Sequence, residues 1–126
     1  MSPRLRRLFV AACWLAVAAA YIAAILPQQE APHLGGSDKT DHMAAFFTVS
    51  LLARFAYPHV RTWRLFVPIA LFGGFIELSQ MIPAIHRDAE WADWAADMIA
   101  SAAALLIAWP LARRIGRPAG EAGGSI

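Results

Sequence analysis

Four stretches of this chain contain no Asp, Glu, Lys or Arg: Leu8 to Leu26, His42 to Ala53, Leu65 to Ile76 and Met98 to Ala112. None alternates with the period of two that a membrane barrel needs, and a backbone in lipid must satisfy its own hydrogen bonds, so the stretches predict helices. Crossing a hydrocarbon core of about 30 Å takes roughly 17 to 25 helical residues. Leu8 to Leu26, ending at Pro27, is long enough for a first span. A second is expected from about Lys39 to Tyr57, closed by Pro58, with Arg54 one turn from that end and able to snorkel to the headgroups. A third, from about Trp63 to Ile82, stops at Pro83, and a fourth, from about Glu90 to Leu111, runs into Arg113, Arg114 and Arg117. The expected fold class is an all-α membrane protein, a bundle of four transmembrane helices forming a single domain over residues 1–116. Residues 117–126, rich in Gly, Pro and Ala, are expected to be a disordered tail.

Composition agrees with a membrane setting. The 126 residues suit one compact unit. About 63% are apolar when Gly is counted and Tyr is not, against roughly 45 to 50% in soluble domains. The net charge of +2 is not massed on a soluble face, so no nucleic-acid partner is expected. Cys13 is the only cysteine, which excludes a disulfide framework and a cysteine metal site.

The charges also orient the spans. With the N-terminus cytoplasmic, one side collects Arg4, Arg6, Arg7, Arg54, Arg61, Arg64, Arg113, Arg114 and Arg117, and the other only Lys39 and Arg87. By the positive-inside rule both termini are expected in the cytoplasm. All the acids except Glu121 fall on the opposite side. Trp63 and Trp109 near one boundary, with Trp91 and Trp94 near the other, fit aromatic belts. Arg4 to Arg7 before an apolar run could also open a signal peptide, but the run continues past any cut near Ala16 to Ala18, so the segment is expected to stay as a helix. Too few apolar residues precede Val10-Ala11-Ala12-Cys13 for a lipoprotein signal.

Ionisable groups inside membrane spans are costly and are functional candidates by default. At 1.5 Å per residue, Glu77 lies about 7 to 8 Å below the outer end of the third helix, and Asp97 about 9 to 10 Å below that of the fourth. Asp38 and His42 are four apart, Glu77 and Gln80 three apart, and Asp93, Asp97 and Ser101 repeat every four, so each set shares a helix face. Ala96, Ala100 and Ala104 form a small-residue stripe that would allow close approach. The candidate polar site therefore comprises Asp38, Lys39, His42, Glu77, Gln80, Arg87, Asp93 and Asp97. Within it Glu77 is expected to pair with Lys39 or Arg87, because an unpaired carboxylate at that depth would take up a proton. No metal ligand set and no cofactor are expected.

Ser37-Asp38-Lys39-x-x-His42 opening a helix, then Gly74-x-x-Glu77-x-x-Gln80, Pro83, Arg87, Asp93 and Asp97, resembles the VanZ-like family of small bacterial integral membrane proteins. The resemblance covers roughly Ser37 to Leu106. The family usually has Asn at the position of Asp97 and Gly at those of Ala100 and Ala104. It implies a role in the cell envelope linked to glycopeptide (teicoplanin) resistance, without a settled chemical mechanism.

Three functions compete. In the first, Lys39, His42 and Arg87 meet the phosphate or carboxylate of a lipid-linked or wall-derived molecule, with membrane lipids as the surrounding partners. In the second, Asp38, His42, Glu77 and Asp97 serve a metal-dependent or acid/base membrane hydrolase, although no HExxH or membrane phosphatase signature is present. In the third, the chain is a small proton-coupled or multidrug transporter; against this, the acids gather at one rim and the first helix carries no ionisable group.

Overall fold

In a computed structural model, which describes residues 1–26, 38–83 and 90–116, the chain forms four α-helices: α1 (Pro3–Ile25), α2 (Asp38–Ala56), α3 (Thr62–Gln80) and α4 (Trp91–Gly116). Three of them, α1, α3 and α4, are long and apolar enough to cross a membrane. The exception, α2, carries Asp38, Lys39, Asp41 and Arg54 within nineteen residues.

Two helices extend beyond the expected spans. α1 begins at Pro3 rather than near Leu8, because the Ser2 hydroxyl accepts the Leu5 N–H at 3.1 Å and Pro3, which has no N–H to lose, starts the first turn. Arg4, Arg6 and Arg7 are therefore helical. α4 runs to Gly116, past Pro110, with Arg113 and Arg114 in a last turn whose partial negative charge favours cations.

Contacts along the chain set the directions. Phe9, early in α1, stacks on Phe55, late in α2, with ring centroids 5.4 Å apart, while Tyr21, late in α1, and Phe46, early in α2, both meet Phe72 at 6.4 and 5.7 Å, so α1 and α2 are antiparallel neighbours. α2 and α4 run parallel and form the most extensive interface. Near its start Ser101 Oγ donates to the Phe46 carbonyl at 3.5 Å, and at its far end Gly116 lies against Pro58. Small side chains permit this approach: Ala100, Ala104, Ala108 and Ala112 of α4 are all buried, as are Ser50, Ala53 and Ala56 of α2. On α3, Gly73 makes room for α4 side chains, since a Cβ there would sit 3.0 Å from both Trp94 Cδ1 and Met98 Cε. The helices thus form a ring in the order α1, α2, α4, α3.

The last seam, between α3 and α1, is joined near one end. There Tyr21 stacks on Phe75 at 5.6 Å and shares a hydrogen bond with Ser79 at 3.1 Å. Around the ring the surface is apolar. Leu8, Leu15, Leu71, Ile99 and Ile107 are each between 66 and 71% exposed, a perimeter that water would penalise and hydrocarbon would not. The ends differ in charge: α1 and α3 begin, and α2 and α4 finish, at a basic end; the other end carries the acids.

Arg54 is the main departure from expectation. It does not reach outward to headgroups but is fully buried. Its Nη2 donates to the carbonyls of Tyr57 (2.9 Å), Pro58 (3.2 Å) and Val60, and its Nη1 to Thr62 Oγ1 at 3.4 Å. The physical cause lies in the tight α2–α3 turn: carbonyls left over at the end of a helix need donors, and in an apolar setting a neighbouring guanidinium supplies several from one plane.

Candidate functional site

The acidic end is where the candidate residues gather, and the helix registers decide how. Parallel α2 and α4 are aligned by the Ser101–Phe46 hydrogen bond. One turn nearer their starts, His42 and Asp97 occupy corresponding positions, each four residues before a member of that pair. His42 is half-buried and Asp97 is only 3% exposed. One further turn along α4, in its first turn, stands Asp93, also half-buried. Asp41, His42, Asp93 and Asp97 all have partners.

Glu77 is buried as well, 2% exposed, but at a different level. Its Oε2 accepts the backbone N–H of Glu90 at 2.9 Å, immediately before α4 begins. A carboxylate at that point also answers the partial positive charge of the helix start. Because Asp97 lies seven residues further along α4, about 10 Å at the usual helical rise, the two carboxylates are stepped rather than at one depth. The sequence places Glu77 correctly in the interior but does not reveal this backbone partner, since it comes from the segment preceding α4.

Gln80 turns the other way. Its Nε2 donates to the Ala24 carbonyl at 3.0 Å, so its amide serves the last turn of α1 rather than the space between α2 and α4. Trp94 faces α3, donating from Nε1 to the Ala70 carbonyl at 3.1 Å, and meets Trp91 edge to face at 6.3 Å. The structure therefore aligns His42 with Asp97, sets Glu77 nearer the rim and Asp93 between, and assigns Gln80 to another seam. Asp38 and Lys39 open α2 at the same end, with side chains outside what is described; Arg87, and with it the expected pairing of Glu77 to Lys39 or Arg87, lies outside the described residues. Among the described residues no group of three or more His, Cys, Asp or Glu side chains is placed to hold a metal ion.

Sequence reasoning overlooked Ser79, Tyr21 and Arg54 as interior polar groups. Tyr21 and Ser79 sit inside apolar runs with no periodic signal, and only their meeting across the α1–α3 seam gives them a role. Comparison with protein-family models, with curated proteins and with solved structures finds no match.

Proposed function

We propose that the chain is a VanZ-like integral membrane protein of the bacterial inner membrane, with four spans, cytoplasmic termini and a ligand site at the extracytoplasmic ends of α2, α3 and α4. The order and spacing of Asp38, Lys39, His42, Glu77, Gln80, Arg87, Asp93 and Asp97 support the family reading. The nine-to-two division of basic residues supports the orientation. The reading of α2 as the fourth span is supported by Arg54 being buried and bonded and by Asp41 and His42 having partners, which lessens the cost of these groups in a membrane.

The observation that carries the site is the alignment of His42 with buried Asp97, with buried Glu77 nearer the rim on a third helix. Polar pairs between membrane helices average only about 0.6 kcal/mol, too little to explain gathering so many ionisable groups at one end. In this reading His42, with Lys39 and Arg87, grips the anionic head of a lipid-linked or wall-derived molecule, and the family link to glycopeptide resistance extends to this chain. A second reading, an acid/base hydrolase, draws on the same His42–Asp97 register, since a carboxylate beside an imidazole can orient it for proton transfer.

The test uses a bacterial host whose teicoplanin susceptibility is compared with and without the wild-type chain. A change on expression is expected. His42→Ala and Asp97→Ala should remove it while the protein inserts at normal levels, and Gln80→Ala should retain it. An unchanged susceptibility with wild type removes the glycopeptide link; loss of the protein itself in both variants returns the cluster to structural packing.

A further inference from the structure

The seam between α1 and α3 closes near the acidic end, at Tyr21, Ser79, Ala24 and Gln80, and opens toward the basic end. There it forms a cavity of about 320 Å³ in which Cys13 and Val17 of α1 face Leu65 and Ile69 of α3 over a floor of Val49 and Ala53 from α2. Beside it, at the basic end, lies a second hollow of about 810 Å³ bordered by Arg6, Arg7, Val10, Tyr57 and His59. Two features make these one surface. Tyr57 borders both, and on α1 the residues Arg6, Val10, Cys13 and Val17 follow at intervals of four, three and four, a single stripe of helix face that changes from cationic to apolar. None of the described lining residues in either cavity is acidic.

We infer that this stripe binds one anionic phospholipid, its phosphate against Arg6 and Arg7 and one acyl chain in the groove between α1 and α3. The shape and the charge select the occupant together. An apolar cavity does not hold water well, and in a membrane-spanning bundle the medium next to the groove is hydrocarbon. The α3 wall from Leu65 to Phe72 is about 10 Å long, which fits within one leaflet of a hydrocarbon core about 30 Å thick. Two arginines that border the same hollow complement a phosphate, and a basic cluster at a membrane surface selects anionic over zwitterionic lipid. Neither α1 nor this end of α3 belongs to the rim site, so the proposal rests on the membrane-spanning reading alone.

The experiment is native mass spectrometry of the full chain in mild detergent, with dioleoyl phosphatidylglycerol and dioleoyl phosphatidylcholine added in equal amounts. One phosphatidylglycerol should be retained, favoured over phosphatidylcholine by roughly tenfold or more. Replacing Arg6→Gln and Arg7→Gln together should erase the preference, whereas Arg4→Gln, whose side chain borders neither cavity, should keep it. Filling the groove by Val17→Trp should reduce retention of both lipids. Because that variant can disturb packing, Val17→Leu and a thermal melt accompany it, and the exposed arginine pair tests the headgroup half without touching the interior. Equal retention of the two lipids, a preference indifferent to Arg6 and Arg7, or full retention in a folded Val17→Trp variant each overturns the proposal. So does a second copy of the chain in place of lipid. His42→Ala and Asp97→Ala should leave lipid retention unchanged, and carbonate-resistant membrane fractionation reads insertion separately, so failure here is distinguishable from failure of the rim reading or of the membrane reading.

Discussion

The side-chain amide of Gln80 donates to the main-chain oxygen of Ala24 across 3.0 Å, joining the last turn of α3 to the last turn of α1. With the Tyr21–Ser79 hydrogen bond beside it, this contact closes the otherwise loose α1–α3 seam near one end. Carbonyls in the last turn of a helix lack intrahelical donors, so a side chain from a neighbour is the natural supply.

Gln80→Leu should therefore lower stability by about 0.6 to 1 kcal/mol, the usual scale for a polar pair between membrane helices or a single hydrogen bond. Tyr21→Phe should cost a similar amount. Both are read from thermal denaturation in detergent, and neither should alter a phenotype that depends on His42. Loss of that phenotype in Gln80→Leu at normal protein levels would place Gln80 in the site after all.

Arg54 allows a sharper distinction between a cation that reaches the headgroups and one that organises a turn. If its guanidinium is needed to satisfy the carbonyls of Tyr57, Pro58 and Val60 together, Arg54→Met should destabilise by about 1 to 3 kcal/mol. Arg54→Lys should recover only part of this, because an ammonium lacks the planar fork. Full recovery by Lys would indicate a snorkelling role.

Gly73 and Gly74 are adjacent yet should respond differently. A Cβ at Gly73 would lie 3.0 Å from Trp94 and Met98 side-chain atoms, and nothing lies within 4 Å of one at Gly74. Gly74→Ala should be neutral or stabilising by up to about 1 kcal/mol through helix propensity. Gly73→Leu should destabilise by about 1 to 3 kcal/mol by overfilling the α3–α4 seam. Gly73→Ala should fall between, since Met98 Cε is the far end of a flexible chain. Equal tolerance at the two positions in a thermal melt would argue against the close approach.

The proposed topology is tested with single cysteines in a Cys13→Ala background. A cysteine at Gly35 should react with an impermeant maleimide added outside intact cells, and one at Arg61 should react only after the cells are opened. The reverse pattern would invert the orientation that the arginines indicate.

The number of helices and their approximate extents were legible because long charge-free runs allow no other backbone arrangement once water is withdrawn. The helix ends were less so. α1 gains five residues over the expected span from its Ser2 cap and Pro3, and α4 continues past the expected Leu111 to Gly116, because a helix ends where its hydrogen bonds end and not where its apolar residues do. The polar set was legible as a list, since ionisable residues are conspicuous among apolar ones. Its grouping was not: Asp97 aligns with His42 across α2 and α4, Glu77 reaches the start of α4, and Gln80 serves α1.

What the sequence determined by itself is the helical class, the separation of basic and acidic ends, and which residues are polar enough to need partners. Those properties depend only on local composition and on the period of a helix. The tertiary structure alone decided the ring order α1, α2, α4, α3, the inward turn of Arg54, and the open half-seam that joins Arg6 and Arg7 to an apolar groove. Each of these arises from which helix faces which. That choice is governed by close packing of Gly, Ala and Ser between helices distant in sequence, and spacing along one helix carries no record of it.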